Sequence, residues 1–206
     1  HFYPGSTSFS IASPGCNFHC EWCQNWEISQ EYGQESINGT AETPPEAVIA
    51  SAKRSHCQSI SYTYTEPTVF FEYSYDVSKL AHAAGLKNVY VTNGYMSQEM
   101  IDLYTPLLDA ANVDIKAFTD EAYRKYIGAH LQPVLDACMA LKQAGVCLEI
   151  TTLLIPGVND DETQLNGLVQ FIAEQLGLET PWHVSRYYQH YQFNAPTTEL
   201  ASIEKA

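Results

Sequence analysis

Basic residues are scarce in this sequence. Of 206 residues, 10 are lysine or arginine and 24 are aspartate or glutamate, so the formal net charge is -14 and the isoelectric point is near 4.7. A protein that binds a phosphate backbone needs clustered cations, and the cations of this chain are scattered. We therefore expect no nucleic acid partner.

Long apolar runs and a secretion leader are also missing. No run approaches the ~20 apolar residues of a membrane helix, so we expect no membrane partner. The chain begins with His1 and not with methionine. No leader peptide with a positively charged start and an apolar core follows it. At the other end, residues 198–206 stop inside a helix-like stretch. We therefore expect that sequence is missing before His1, and we consider the same for the C-terminus. Six cysteines are too few for a secreted disulfide scaffold, which favours a cytoplasmic protein.

Short apolar segments alternate with longer amphipathic stretches about six times. This alternation predicts an α/β fold with a parallel sheet, in a single domain over residues 1–206. A complete eightfold barrel typically needs ~250 residues, so we favour a partial, TIM-like (β/α)6 barrel over a doubly wound sheet, although periodicity alone does not separate them. The predicted strands are Ser8–Ala12, Ser59–Tyr64, Lys87–Thr92, Asn112–Lys116, Val146–Leu154 and His183–Arg186.

Several helix ends are readable from the sequence. Residues 43–46 read Thr-Pro-Pro-Glu, which predicts a capping box with Thr43 as N-cap of a helix that runs to about Arg54. Ser97 has the character of another N-cap. Gly85 and Gly145 each follow a helical stretch, where a left-handed glycine commonly ends a helix. Ligands of such folds bind at the carboxyl ends of the strands, so site residues should follow each strand.

Three cysteines are crowded into one short loop directly after the first strand. Cys16, Cys20 and Cys23 are separated by three and two residues, which brings three thiolates toward one centre. Thiolates hold cubane iron–sulfur clusters, usually four of them, and three would leave one iron open for a cofactor. A structural zinc site has four ligands, and His19 is the available fourth. Three unligated thiols are the remaining alternative.

The loop resembles the signature of the radical S-adenosylmethionine (SAM) superfamily. It has the pattern C-x-x-x-C-x-aromatic-C, and Trp22 is the aromatic residue. Within that superfamily the chain is similar to glycyl-radical-enzyme activases such as pyruvate formate-lyase activating enzyme. It is closer still to the radical SAM enzyme of the AmmeMemoRadiSam system, a likeness carried by residues 10–17, 23–29 and 181–186.

The resemblance implies an enzyme of oxidoreductase type with a [4Fe–4S] cluster and SAM as cofactors. In that family the open iron binds the amino and carboxylate groups of SAM. One electron then breaks the C5′–S bond, and the 5′-deoxyadenosyl radical removes hydrogen from a substrate. We expect Cys16, Cys20 and Cys23 to be the metal ligands and Trp22 to contact the cofactor. The implied partners are a flavodoxin-like or ferredoxin-like electron donor and a protein or small-molecule substrate.

Polar residues follow the second and third predicted strands. The sequence Tyr64-Thr65-Glu66-Pro67 stands where the activases have Gly-Gly-Glu-Pro, and the resemblance assigns Glu66 to the ammonium of SAM. The alternative is a helix start at which Glu66 faces the helix dipole. Thr92 and Asn93 precede Gly94 and are expected to contact the ribose or carboxylate of SAM, although an ordinary Asn-Gly turn is nearly as compatible.

The fourth and fifth strands supply the remaining candidates. Asp114-Ile115-Lys116 matches the family's Asp-Leu-Lys, and strand alternation puts the two charges on one side. Charges on a buried strand are costly unless they pair or bind something. We therefore assign Lys116 to the SAM carboxylate and Asp114 to the substrate or to the lysine. Ile155 begins an Ile-Pro-Gly turn that packs against adenine in the family.

Other features carry no predicted role. The family usually has a histidine and a proline shortly after the sixth strand, but this chain has Tyr188 and Gln189 there, with His190 displaced. Cys57, Cys138 and Cys147 are interpreted as small buried hydrophobes, and the aromatic run over residues 62–75 as core. The competing functions are a glycyl-radical-enzyme activase proper, a non-catalytic zinc module, and a tRNA-modifying radical enzyme, which the net charge disfavours.

Overall fold

The computed structural model describes residues 1–31, 33 and 43–206. Six strands form one sheet, every neighbouring pair of strands is parallel, and the strand order follows the chain from β1 to β6. The strands are β1 (Ser8–Ile11), β2 (Ser59–Tyr62), β3 (Lys87–Thr92), β4 (Ala110–Asp114), β5 (Cys147–Leu154) and β6 (Trp182–Arg186).

Helices connect the strands in the described part of the chain. A 3₁₀ turn at Pro67–Phe70 precedes the helix that begins at Phe71. Two π-helical turns, at Tyr123–Ile127 and Ile172–Leu176, extend the helices that begin at Asp120 and Glu162. No helix among the described residues is long and apolar enough to cross a membrane. The helices are α1 (Trp26–Ser29), α2 (Pro45–Arg54), α3 (Phe71–Ala83), α4 (Gln98–Tyr104), α5 (Asp120–Ala122), α6 (Leu131–Gln143), α7 (Glu162–Phe171) and α8 (Leu200–Lys205).

The sequential strand order decides between the two predicted architectures. A doubly wound sheet reverses its strand order at a switch point, whereas this sheet runs β1 to β6 without a reversal. The predicted partial (β/α)6 barrel is therefore confirmed.

The two faces of the sheet have different compositions. On β5, Leu148, Ile150 and Thr152 are buried, while Glu149 and Thr151 between them remain partly exposed. The buried apolar side chains pack with helix residues in one core, and we call this side of the sheet the outer face. The alternating partly exposed set defines the inner face. Because side chains on a strand alternate between faces, the polar residues collect on the inner face.

The outer face also contains a buried hydroxyl network. Ser78 on α3 donates to the Tyr62 hydroxyl (2.8 Å) and lies 2.7 Å from the Tyr104 hydroxyl, while Tyr62 donates to Asn88 Oδ1 (3.1 Å). These groups are almost completely buried, and buried hydroxyls are costly without partners. The network thus ties α3 and α4 to the sheet. Core packing is confirmed for Tyr62 but wrong for Tyr64, which is 57% exposed.

Helix boundaries agree with the sequence at four of the five predicted ends, including the end of α2 at Arg54. Ser97 caps α4 by accepting from the Met100 amide (3.3 Å), and Gly85 and Gly145 have φ of +77° and +80° after α3 and α6. The capping box at Thr43 is wrong. The N-cap position of α2 is Pro44, without a side-chain cap hydrogen bond, and the helix begins at Pro45. The second proline moves the helix start one residue later, because proline suits the first helical position.

Three strands end earlier than predicted: β1 ends at Ile11, one residue early, and β4 and β2 each end two residues early. β4 ends at Asp114, so Lys116 lies just beyond the strand, where its amide donates to the Tyr123 hydroxyl (3.2 Å). β2 ends at Tyr62 because Tyr64 adopts φ +67°, a left-handed conformation that no strand continues through. The changes at β4 and β2 place the following polar residues in loops at the carboxyl edge of the sheet.

Candidate functional site

The carboxyl ends of the strands surround a cavity of about 300 Å³. The loop that follows β1, named here the cysteine loop (residues 16–23), forms one side of it. Loops after β2, β3 and β4 form the other sides. The cavity wall includes nine of the ten predicted site residues: Cys16, Cys20, Trp22, Cys23, Glu66, Thr92, Asn93, Asp114 and Lys116.

The three thiols of the cysteine loop line one cavity, Cys20 buried and Cys16 and Cys23 half-buried. Burial raises the pKa of Cys20 to about 12; Lys116 opposes this shift, and the Cys16 and Cys23 thiols add to it. Burial likewise raises the pKa of Cys16. Thiols in such surroundings stay protonated and are poor nucleophiles. They become thiolates when a metal replaces the proton, so the arrangement suits metal ligation better than nucleophilic catalysis.

Hydrogen-bond donors surround two of the sulfurs. The Phe18 amide donates to Cys16 Sγ (3.4 Å), and Asn93 Nδ2 lies 3.8 Å from the same sulfur. Cys23 Sγ lies 3.0 Å from the Ser29 hydroxyl. Donors around ligand sulfurs fix their orientation and tune the potential of a bound iron–sulfur cluster.

Backbone hydrogen bonds hold the cysteine loop from two sides. The His19 and Glu21 amides donate to the carbonyls of Ile127 and Tyr126 in the first π-helical turn (2.9 and 3.1 Å). On the other side, the Gln192 amide donates to the Glu21 carbonyl (3.0 Å). The middle of the loop is therefore fixed between two distant segments of the chain.

Aromatic side chains cover the cysteine loop. Trp22 is almost completely buried, and the Phe193 ring meets it edge-on at 5.3 Å between centroids. Tyr191 stacks on Trp26 at 5.2 Å with an interplanar angle of 13°. Excluding water strengthens electrostatic interactions within a site, and these rings exclude it on the side of Trp22.

Glu66 is buried and its carboxylate is largely occupied by protein donors. Oε1 accepts from the Thr68 amide (3.1 Å) and the Thr92 hydroxyl (2.8 Å), and Oε2 accepts from the Asn93 amide (2.8 Å). Burial raises the pKa of Glu66, and these hydrogen bonds oppose the shift. A carboxylate offers about four acceptor positions, and the Thr68 side chain also favours the charged form of Glu66, so protein donors meet most of these positions.

Asn93 links this carboxylate to the cysteine loop. Its Nδ2 donates to Asn17 Oδ1 (2.7 Å), and Asn17 Nδ2 donates to the Tyr95 carbonyl (3.1 Å). Gly94 follows with φ +74°, and a Cβ there would lie 2.8 Å from a methyl carbon of Val113. The Asn-Gly turn that the sequence predicts is therefore present, and it also connects the two sides of the cavity.

Lys116 and Asp114 form an ion pair on the cavity wall. Lys116 Nζ lies 2.7 Å from Asp114 Oδ2, which confirms that the two side chains share one side. Burial lowers the pKa of Lys116, but the adjacent Asp114 carboxylate raises it by more, so the net shift is upward and the lysine stays charged. Asp114 Oδ1 is buried and has no hydrogen-bond partner among the described residues.

Tyr64 occupies a glycine-like position at the cavity wall. It adopts φ +67°, and its carbonyl accepts from Asn25 Nδ2 (2.6 Å). A left-handed conformation costs a non-glycine residue roughly 1–2 kcal/mol. The chain thus has a left-handed residue at the cavity wall, and the phenol of that residue is exposed.

Some predicted residues lie outside the cavity wall. Ile155 is fully buried, and its amide donates to Asn159 Oδ1 (2.7 Å). Tyr188 and His190 are exposed and do not line the cavity. The interpretation of the remaining cysteines as buried hydrophobes is correct for Cys138 but wrong for Cys147, which is exposed because it opens β5 on the inner face.

The donor set fits an iron–sulfur cluster better than zinc. Among the residues that the structure describes, no three His, Cys, Asp or Glu side chains converge tightly enough for a single metal ion. His19 is exposed and lies beside Gly128, away from the cavity wall. A single zinc needs four ligands within ~2.3 Å, whereas a cluster meets each thiolate with a separate iron.

The sequence did not single out several residues that organise the site. Asn17 donates to the Tyr95 carbonyl in the loop after β3, and Asn25 donates to the Tyr64 carbonyl. The Ser29 hydroxyl contacts the Cys23 thiol. All three lie in the stretches that carry the family likeness, which was the available signal. Phe193 and Gln192 had no such signal, because their contacts to the cysteine loop depend on the path of the chain after β6.

Comparisons with known proteins place the chain in a family. The model of the Radical SAM superfamily matches residues 10–165. An uncharacterized protein from Methanocaldococcus jannaschii is 42% identical over 207 residues, covering 100% of this chain and 61% of its own length. The pyruvate formate-lyase 1-activating enzyme of Escherichia coli strain K12 is 22% identical over 177 residues, covering 82% of this chain and 71% of its own.

A solved structure supports the fold. The crystal structure of Streptococcus suis SuiB bound to S-adenosylmethionine superposes with a TM-score of 0.73 at 13% identity, covering 97% of this chain and 46% of that one. The chain therefore spans about three fifths of the first relative and less than half of SuiB.

Proposed function

Because the chain belongs to the radical SAM superfamily, we propose that it is an enzyme in which Cys16, Cys20 and Cys23 hold a [4Fe–4S] cluster and the adjoining wall binds SAM. The cofactors of this family are the [4Fe–4S] cluster and SAM. The observation that carries the proposal is the convergence of three buried or half-buried thiols, a lysine–aspartate pair and a buried glutamate on one cavity.

Once bound, the cluster supplies one electron for cleavage of SAM to a 5′-deoxyadenosyl radical, which removes hydrogen from a protein or small-molecule substrate. The residues of the chain bind SAM and orient it. Lys116 offers a positive charge for the SAM carboxylate, and the Glu66 carboxylate offers a negative charge for its ammonium. Such charge-assisted hydrogen bonds are about twice as strong as neutral ones.

The loops after β2 and β3 make this half of the site rigid. Glu66 is fixed by Thr68, Thr92 and Asn93 before any ligand arrives. Thr92 and Asn93 therefore act first as donors to Glu66, and we propose that their side chains face SAM from that position. A prearranged carboxylate loses little conformational freedom on binding.

The aromatic side chains that cover the cysteine loop support this reaction by excluding water from the site. Water weakens the electrostatic interactions of a site, and a stray C–H or S–H donor quenches a carbon radical; Trp22 with Phe193 closes one side of the cysteine loop. The electron must come from outside, and we propose a flavodoxin-like or ferredoxin-like donor.

Anaerobic reconstitution with iron and sulfide tests the proposal. The protein should turn brown with absorption near ~400 nm, as expected for thiolate-bound iron, and after reduction with dithionite it should convert SAM to 5′-deoxyadenosine. Colourless protein that binds one zinc instead would overturn the proposal and support the zinc module. Cys57→Ala is the matched control, because Cys57 lies outside the cavity wall.

A further inference from the structure

After β6 the chain makes a long excursion and returns to its starting point. The Tyr187 amide donates to Thr198 Oγ1 (3.0 Å), and the Thr198 amide donates back to the Tyr187 carbonyl (3.1 Å). Thr198 is completely buried, and its hydroxyl donates to the Leu154 carbonyl at the end of β5. The segment between these ends, named here the strap (residues 188–197), is therefore a closed surface loop of the Ω type, and such loops are frequently functional.

The tip of the strap is a tight turn that rests on the cysteine loop. His190 and Phe193 form an isolated antiparallel bridge, with Tyr191 and Gln192 between them. The Gln192 amide donates to the Glu21 carbonyl (3.0 Å), and Tyr191 adopts φ +54°. This conformation is unfavourable for a residue other than glycine, and it persists only where surrounding contacts hold it. The contacts of the tip therefore hold a strained turn in place.

These contacts lie on both sides of Cys23. Phe193 packs edge-on against Trp22, the residue before this cysteine, with 5.3 Å between ring centroids. Tyr191 stacks on Trp26, which follows it, at 5.2 Å. The segment that carries the Cys23 thiol is therefore clamped at both ends by one turn of the strap.

Phe193 is the centre of this arrangement. Its ring also meets the rings of Tyr126 (5.4 Å) and Tyr187 (6.1 Å) edge-on, and its carbonyl accepts from the Tyr187 hydroxyl (2.7 Å). Edge-to-face aromatic pairs at such distances are favourable. Phe193 thereby joins the first π-helical turn, the end of β6 and the cysteine loop.

Cys16 is held independently of the strap. Its sulfur accepts from the Phe18 amide (3.4 Å) and lies 3.8 Å from Asn93 Nδ2 in the loop after β3. None of the described residues of the strap lines the cavity at the carboxyl ends of the strands, named from here the cofactor cavity. The strap therefore acts on the cysteine loop from outside, and on one part of it.

We propose that the strap positions Cys20 and Cys23 for the cluster, with Phe193 and Tyr191 as its positioning residues. The strap lies outside residues 10–165, which the family model matches, so the superfamily pattern does not supply it. When the contacts of the tip are lost, residues 21–26 lose their support and the two thiols gain access to solvent. The inference rests on the proposed function for the role of these thiols as ligands, but not for their burial.

Alkylation of the metal-free protein tests the inference without the cluster. Iodoacetamide is added to the reduced apoprotein, and mass spectrometry follows the rate of modification at each cysteine. Phe193→Ala should raise the rates at Cys20 and Cys23 by roughly tenfold or more, because buried thiols are inert and exposed ones react. The rate at Cys16 should change by less than about twofold, since its contacts do not involve the strap.

Two controls separate a positioning role from loss of the fold. Tyr188 is an exposed aromatic residue of the strap that packs on Arg186, so Tyr188→Ala should change none of these rates. Cys138 is buried in the core and should stay unreactive in every folded variant. Phe193→Leu keeps the apolar bulk and should restore most of the protection.

A second variant carries the test if Phe193→Ala unfolds and exposes Cys138. Tyr191→Gly removes the stacked ring and also relieves the positive φ, which glycine adopts freely. This variant should stay folded, with an unchanged urea midpoint or a higher one. It should nevertheless raise the alkylation rate of Cys23 by roughly fivefold.

Iron release extends the test to the loaded protein. Groups that support metal ligands typically contribute 10–100-fold to metal affinity. After anaerobic reconstitution, Phe193→Ala and Tyr191→Gly should therefore release iron to an iron(II) chelator roughly fivefold faster than the wild type. Tyr188→Ala should release it at the wild-type rate.

The outcomes separate this inference from the proposed function. Unchanged alkylation of Cys20 and Cys23 in both tip variants, or equal acceleration at Cys16, would overturn the inference. If the same preparations cleave SAM, the proposed function then stands without it. Faster alkylation of Cys20 and Cys23 in a protein that takes up no iron would instead support the strap as the support of these thiols and overturn the proposed function.

Discussion

The outer and inner faces of the sheet are made by neighbouring residues of the same six strands, yet they have opposite properties. Ile60, Tyr90, Val113 and Ile150 on the outer face are completely buried against the helices. Their inner-face neighbours are serine, valine, asparagine, aspartate, glutamate and threonine, and they line the cavity at the carboxyl ends of the strands and a second cavity toward the amino ends. Parallel sheets normally have both faces covered, so the open, polar inner face is the unusual one.

On each strand, the outer-face residues contribute to stability and the inner-face residues contribute to ligand binding and chemistry. Burial of the outer face stabilises the fold through the hydrophobic effect. The inner face carries ionisable and hydrogen-bonding groups whose burial costs free energy unless they are paired. Substitutions on the two faces should therefore affect different measurements.

The largest expected effect concerns the cysteine loop. Cys20→Ala should remove most of the bound iron, because an iron–sulfur cluster depends on each of its thiolate ligands. Iron content after anaerobic reconstitution is the measurement. Cys16→Ala and Cys23→Ala should behave alike, and Cys57→Ala, Cys138→Ala and Cys147→Ala should retain iron. Full iron retention in Cys20→Ala would contradict the assignment of the ligands.

A pair of truncations on β5 tests the difference between the faces. Ile150→Ala, on the outer face, should lower the free energy of unfolding by about 2–5 kcal/mol, as for other buried large-to-small changes. Leu153→Ala, on the inner face, removes a half-buried side chain and should cost less than half as much. Urea unfolding measures both. Equal losses would mean that the inner face is packed rather than open.

Charge removal at the cofactor cavity should affect ligand binding and leave the cluster intact. Lys116→Met and Glu66→Gln should each weaken SAM binding more than tenfold, because the loss of one partner from a desolvated charged pair typically costs several kcal/mol. Calorimetry on reconstituted protein measures the affinity, and iron content is the control. Unchanged affinity in both variants would show that SAM binds elsewhere.

A smaller, pH-dependent effect is expected at the helix that follows β5. Asp161 caps α7, and hydrogen bonds from the Gln164 side chain and amide lower its pKa. Because the folded-state pKa is lowered, the cap stabilises the protein above the unfolded pKa of ~3.9, and this contribution is lost as pH falls through the folded value. Asp161→Ala should therefore cost about 1 kcal/mol at pH 7.

The control for this prediction is the same comparison at low pH. Thermal unfolding of the wild type and Asp161→Ala should differ clearly at pH 7 and converge near pH 2. A difference that stays constant with pH would show that packing, and not the carboxylate, supports the helix end.

The smallest effect is an expected absence of binding. Neither cavity wall offers a cluster of cations among its described residues, and the net charge of -14 repels phosphates most strongly at low salt. A gel shift with unfractionated tRNA at low ionic strength should show no complex. A salt-sensitive complex of micromolar affinity would favour the tRNA-modifying alternative.

Local patterns predicted much of the fold and the site. The alternation of short apolar segments with longer amphipathic stretches located the strands to within two residues, and the thiol spacing located the cysteine loop. The positions of Glu66, Asn93 and Lys116 directly after their strands placed them at one edge of the sheet, since parallel strands end at a common edge. The capping box failed because two prolines compete for one helix start.

The sequence by itself determined the family and the candidate residues, since residue type and short spacing decide what a loop can ligate. Only the tertiary structure decided three things: the donors that surround the buried Glu66 carboxylate, the unpaired Asp114 Oδ1 among the described residues, and the closure of the cysteine loop by Phe193. Each depends on contacts between residues far apart in the chain. The stacking of two cavities has the same origin, because it follows from the register of parallel strands, and register is a property of pairing that no single strand contains.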